Sequence, residues 1–156
     1  MLLIKNGCIH DAVSREPYIA DIMVENGKIT AINTGTMLSG ALPDSMDNCE
    51  AEVLDIKGLN VYPGLVDAHS HLGLDGYAIG FESQDYNEMN DIVTPQLRAI
   101  DGFYPQDETV KLAREGGVTC VGTGPGSSNV LGGMFMAVKT YGHRVDDMVV
   151  KFPVAM

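Results

Sequence analysis

An apolar run ending in two alternating histidines, Val61-Tyr62-Pro63-Gly64-Leu65-Val66-Asp67-Ala68-His69-Ser70-His71-Leu72, sets the reading of this chain. In an extended strand, side chains two residues apart share a face. Asp67, His69 and His71 therefore stand on one side, with Val66, Ala68 and Ser70 on the other. Two imidazoles about 7 Å apart along a strand can converge on one cation where the strand end twists. Imidazole suits Zn²⁺ and other borderline divalent metals. Asp67 either accepts the second ring proton of a ligating histidine or serves as a structural acid that fixes the loop.

Upstream, residues 1–60 read as β-structure. Leu2 to Ile9 forms a strand, and a polar turn follows around Asp11 to Pro17. Asp21–Glu25 and Lys28–Ile32 flank Asn26-Gly27, a strong hairpin signal because both turn residues tolerate positive φ. Residues 34 to 50 read as a loop, and Glu52 to Ile56 as another strand. Downstream, Asp91 to Ile100 has a helical pattern that Pro95 restricts to a start near Thr94. Asp107 caps a helix through Glu115, with Val110, Leu112 and Ala113 facing inward and Gly116-Gly117 ending it. Val118 to Val121 is a strand closed by Gly122-Thr123-Gly124-Pro125-Gly126, and Met134–Thr140 and Met148–Phe152 read as further strands. Strand, helix, strand is the βαβ pattern of a parallel sheet.

Composition bounds the partners. The formal net charge of −11, from 21 acids against 10 bases, repels phosphate backbones and anionic membrane surfaces. No stretch approaches ~18 apolar residues, and the N-terminal apolar run is too short for a signal peptide. Cys8, Cys49 and Cys120 form an odd set without a CxxC, which argues for a reducing, cytoplasmic setting.

Pro63-Gly64-Leu65-Val66-Asp67-x-His69-x-His71 resembles the first-strand signature of the metal-dependent amidohydrolase superfamily. Thr94-Pro95-Gln96-Leu97-Arg98-Ala99-Ile100-Asp101 and Gly116-Gly117-Val118-Thr119 are similar to imidazolonepropionase-like members. The resemblance implies an α/β fold: residues 1–60 as part of an N-terminal β-sandwich, and residues 61–156 as the first strands and helices of an incomplete (β/α)₈ barrel. It places the active site at the C-terminal strand ends. It makes His69 and His71 metal ligands, joined in the family by later histidines, an aspartate, and often a bridging carboxylated lysine or a glutamate. The implied cofactor is one or two divalent ions, Zn²⁺ first. The implied activity is hydrolysis of amide or cyclic amide C–N bonds in a small molecule, and a homo-oligomer is expected. A full barrel takes ~250 residues, so the chain reads as a fragment that is inactive alone. The competing reading is a non-catalytic, oligomeric scaffold of the same family.

Other residues have plainer readings. His143 is a surface-turn residue, and His10, at a strand end, is assigned no chemistry. Gly122–Gly133 is glycine-rich but lacks the Gly-Lys-Ser/Thr of a phosphate loop, so it reads as a tight loop at the barrel mouth. Arg98 is read first as a solvated helix residue and second as a clamp for a substrate carboxylate. Lys139 and Lys151 end apolar runs, which makes either a candidate to face the barrel interior. Asp75, Glu82, Asp85, Glu88 and Asp91 read as a solvated face, and Cys120 as inert core.

Overall fold

The computed structural model describes residues 1–35, 52–77 and 80–156. The loop expected at 34 to 50 lies almost wholly outside the described residues, and Cys49 with it. The chain divides into two compact units, Met1–Pro63 and Gly64–Met156.

The first unit is one mixed sheet of β1 (Leu2–Ile9), β2 (Tyr18–Glu25), β3 (Lys28–Asn33), β4 (Glu52–Asp55) and β5 (Asn60–Val61). The strand order is β3-β2-β1-β4, with β5 beside the far end of β1. β2 and β3 form the expected hairpin, with Asn26 and Gly27 both at positive φ (51° and 72°), as a two-residue turn of matching twist requires. Alternation puts Ile9, Ala20 and Ile22 into a small core, against which Ile4, Tyr18, Val24 and Val61 pack. The Asp11 turn is closed by its own carboxylate. Oδ1 accepts from the Ser14 and Val13 backbone N–H groups, and Oδ2 from the Ser14 and Tyr18 hydroxyls. These bonds, the Ser14 N–H foremost, hold the Asp11 carboxyl at about 2, below its ordinary 3.8.

The segment read as one strand from Val61 to Leu72 is divided. Asn60–Val61 pairs with β1, whereas β6 (Leu65–Ser70) belongs to a second sheet. Pro63 has no N–H to donate to a ladder. Gly64 lies so close to Thr119 that an added Cβ would sit 2.1 Å from its Oγ1.

The second unit continues through a 3₁₀ turn (Gly80–Ser83), α1 (Ala99–Gly102), α2 (Glu108–Glu115), β7 (Val118–Thr123), β8 (Phe135–Lys139), α3 (Val145–Met148) and β9 (Val149–Ala155). β6 and β7 are parallel, as the βαβ reading requires, and the sheet order is β6-β7-β8-β9. The small β-domain followed by an α/β unit is the class expected from sequence. One difference from an all-parallel barrel start is that β8 runs antiparallel to both β7 and β9. The connections into and out of β8, 124–134 and 140–148, hold only the single-turn α3 and no crossover helix. Without one, a reversal of direction is the geometry available.

β7 and β8 have two different faces. Val121, Thr123, Met136 and Val138 are buried at 2% or less on one face, in a core shared with Phe103, Val110 and Met148. Phe135, Ala137 and Lys139 alternate onto the other face. Asp107 caps α2 as expected, its carboxylate accepting from Thr109 N–H and Oγ at 2.8 and 2.6 Å. Two local readings are corrected. Residues 91–98 are not helical; helix begins only at Ala99, because Asp91 closes a turn on the Val93 N–H and Thr94 pairs with Leu131 across the unit. Leu112 is 46% exposed, since two residues along a helix from buried Val110 is about 200° around the axis.

Met136→Ala should lower unfolding free energy by about 2–5 kcal/mol in chemical denaturation, because the side chain is wholly enclosed. Asp11 should titrate near 2 by carboxyl NMR. The stabilisation its turn supplies is then complete above the ordinary carboxylate value of 3.8 and fades as pH falls from there through about 2.

Candidate metal centre

His69 is the penultimate residue of β6 and His71 lies one residue beyond the strand, where β6 leaves the sheet. Their ring centres are 5.5 Å apart, with planes at 80°. Two imidazoles sharing an ion held ~2.0–2.1 Å from each ring nitrogen span a distance of this order.

What aims His71 comes from β7's end. Its Nδ1 lies 2.7 Å from the Gly124 carbonyl oxygen, 53 residues away in sequence. A carbonyl can only accept, so Nδ1 carries the proton, and in the neutral ring Nε2 keeps its lone pair. Around this bond the strand ends are tied together: Ser70 Oγ donates to Gly122 O, Gly124 N–H to Ser70 O, and Thr123 Oγ1 to Leu72 O. Tyr86 stacks on His71 at 5.0 Å and 11°, while Phe135 lies 5.1 Å from the His69 ring. Gly124 has to be glycine here, because a Cβ would fall 2.3 Å from the Phe135 ring.

Tyr86 is held by two loops bound to each other. Gly126 N–H donates to its carbonyl at 2.6 Å, and Asn129 Nδ2 donates to the carbonyls of Glu88 and Asp91. Behind Tyr86 is a cleft of about 230 Å³, lined by Asn87, Arg98, Asp101, Pro125 and Gly132 among others.

Several sequence expectations take a different form. Asp67 follows the second of its two readings, since its carboxylate accepts from the His69 backbone N–H at 3.2 Å and shapes the strand end, while Gly124 orients the His71 ring. Arg98 precedes α1 in an extended conformation and gives both Nε and Nη2 to Asp101, at 2.8 and 2.6 Å, which occupies the fork proposed for a substrate carboxylate. Of the acids read as a solvated face, Glu88 and Asp91 bend the chain by accepting from the Asn90 and Val93 N–H groups. His143 is exposed, as expected. Lys139 and Lys151 are also exposed. Lys151 pairs with Ala137 and so shares the face of Phe135, and Lys139 pairs with Cys120. Tyr86 and Phe135 were not singled out from sequence, and Gly124 was read only as part of the tight loop that starts at the end of β7. Among the described residues no three His, Cys, Asp or Glu side chains converge as a complete metal site.

No family model matches the chain. It is 34% identical over 122 residues to the amidohydrolase tasK of Hapsidospora irregularis, covering 78% of this chain and 12% of that protein. It is 33% identical over 101 residues to an N-substituted formamide deformylase of Arthrobacter pascens, covering 64% and 16%. It is 37% identical over 76 residues to a dihydroorotase of Syntrophus aciditrophicus (strain SB), covering 49% and 16%. The crystal structure of an amidohydrolase from Thermotoga maritima MSB8 superposes with a TM-score of 0.85 at 37% identity, over 98% of this chain and 37% of that one. The chain belongs to the metal-dependent amidohydrolase superfamily, and the match falls on the family's N-terminal portion. It spans between 12% and 16% of the length of these curated relatives.

In ¹⁵N NMR of the neutral ring, His71 should show the Nδ1–H tautomer; an Nε2–H signature would mean that the Gly124 bond does not form in solution.

Proposed function

We propose that the chain supplies the opening part of the active site of a hydrolase that cleaves amide or cyclic amide C–N bonds in small molecules. His69 and His71 are two ligands of a divalent ion, Zn²⁺ first among candidates. The observation that carries this reading is the His71–Gly124 bond, which spends Nδ1 on the fold and reserves Nε2. The named relatives, an amidohydrolase, a deformylase and a dihydroorotase, support a hydrolytic class.

When bound, such an ion would acidify a water and polarise the scissile carbonyl. The chain's own residues prepare for that chemistry. Phe135 packs beside the His69 ring and Tyr86 stacks on the His71 ring, which fixes the imidazoles while His69 stays open to solvent and to an incoming ion. The cleft behind Tyr86 is roomy enough for a small substrate's distal groups. Lys151 joins the pair as a third candidate. Its partner Ala137 is two residues from Phe135, about 7 Å along the strand, whereas Lys139 is twice as far. A lysine on that face is the chain's candidate for the carboxylated bridge that the family resemblance implies.

Metal content measured after loading with Zn²⁺ and removal of excess tests the assignment. His69→Ala/His71→Ala should lose about one ion per chain relative to the parent. Gly124→Ala and Lys151→Ala should weaken affinity by roughly 10–100-fold. Equal content and affinity in the parent and the double variant would reject the centre.

A further inference from the structure

The first unit carries a second set of donors that shares no residue with the histidine pair. Cys8 and His10 are two residues apart along β1 and its extension, so they stand on the face opposite buried Ile9. Parallel pairing sets Asn60 beside Cys8. The Cys8 Sγ lies 3.9 Å from His10 Nε2, and the same nitrogen lies 3.0 Å from Asn60 Oδ1. Tyr62 stacks under the imidazole at 4.3 Å and 21°, holding the ring in place. Cys8 is a free thiol, and both it and His10 are partly open to solvent.

Hydrogen bonding alone does not use this arrangement well. A single Nε2 faces both neighbours: its proton satisfies Asn60, and the thiol is left at a distance too long for a strong bond. A metal ion uses all three donors. Thiolate and imidazole hold Zn²⁺ at ~2.3 and ~2.0–2.1 Å. The 3.9 Å between Sγ and Nε2 is shorter than those two bonds end to end, so one ion can touch both.

We propose that Cys8, His10 and Asn60 bind a thiophilic divalent d¹⁰ ion of the Zn²⁺ class. Binding releases the Cys8 thiol proton to solvent and shifts the His10 ring proton from Nε2 to Nδ1, freeing Nε2 for the metal. The amide oxygen of Asn60 then turns from hydrogen-bond acceptor to third donor. Tyr62 stays stacked on the imidazole plane throughout.

Cd²⁺ is the probe, titrated into the full chain carrying His69→Ala/His71→Ala and followed by thiolate-to-metal charge-transfer absorption. The band should saturate at about one ion per chain. It should vanish in Cys8→Ser, and affinity should fall by about tenfold or more in His10→Ala. Far-ultraviolet circular dichroism identifies variants that keep the fold, and His10→Gln replaces His10→Ala if the latter does not. Absence of the band, its persistence in Cys8→Ser through Cys49 or Cys120, or unchanged affinity in a folded His10 variant would overturn the proposal. Because the titration is made without His69 and His71, it stands or falls separately from the hydrolase reading.

Discussion

A single hydrogen bond, from His71 Nδ1 to the Gly124 carbonyl, couples the candidate centre to the second unit's fold. It joins the residue after β6 to the residue after β7, so it exists only if the two strands lie parallel and in register. That register in turn depends on a helix returning the chain across the sheet, and α2, capped by Asp107, provides it. The bond also selects which ring nitrogen is free. Topology and ligand chemistry therefore meet at one carbonyl oxygen.

The β7–β8 ladder separates two tasks by alternation. Val121, Thr123, Met136 and Val138 point to the helices and are among the most deeply buried residues of the chain. Phe135 and Ala137, one residue out of phase, turn toward the side where the imidazoles are. Packing strength and site chemistry thus come from the same strands without competing for the same positions. The antiparallel turn into β8 makes this possible, because it brings Phe135 back beside Gly124, where only a glycine leaves room for the ring.

The loops that carry Tyr86 show how an irregular segment becomes exact enough to serve a site. Residues 84–98 have almost no regular structure, yet backbone and amide bonds from Gly126, Asn129 and Leu131 fasten them at several points. A run of acids and amides that reads as a solvated face contains the turn-closing carboxylates Glu88 and Asp91, which set its path.

Local rules were enough for much of this protein. Asn26-Gly27 announced a hairpin and Asp107 a helix start, because each depends on residues within a few positions of one another; the His-x-His at the end of an apolar strand marked the candidate centre for the same reason. The sheet partners of β8, the split at Pro63, the occupation of Arg98 by Asp101 and the replacement of Asp67 by Gly124 as the orienter of a histidine were not legible. Cys8, His10 and Asn60 make the same point: sequence reading connects none of them to the others until β5 pairs with β1. Sequence determined which side chains share a face of one element, since the periods of strand and helix follow from backbone geometry alone. Which faces meet was decided by the tertiary structure, because contacts such as the 53-residue span from His71 to Gly124 depend on chain closure and packing that no local pattern encodes.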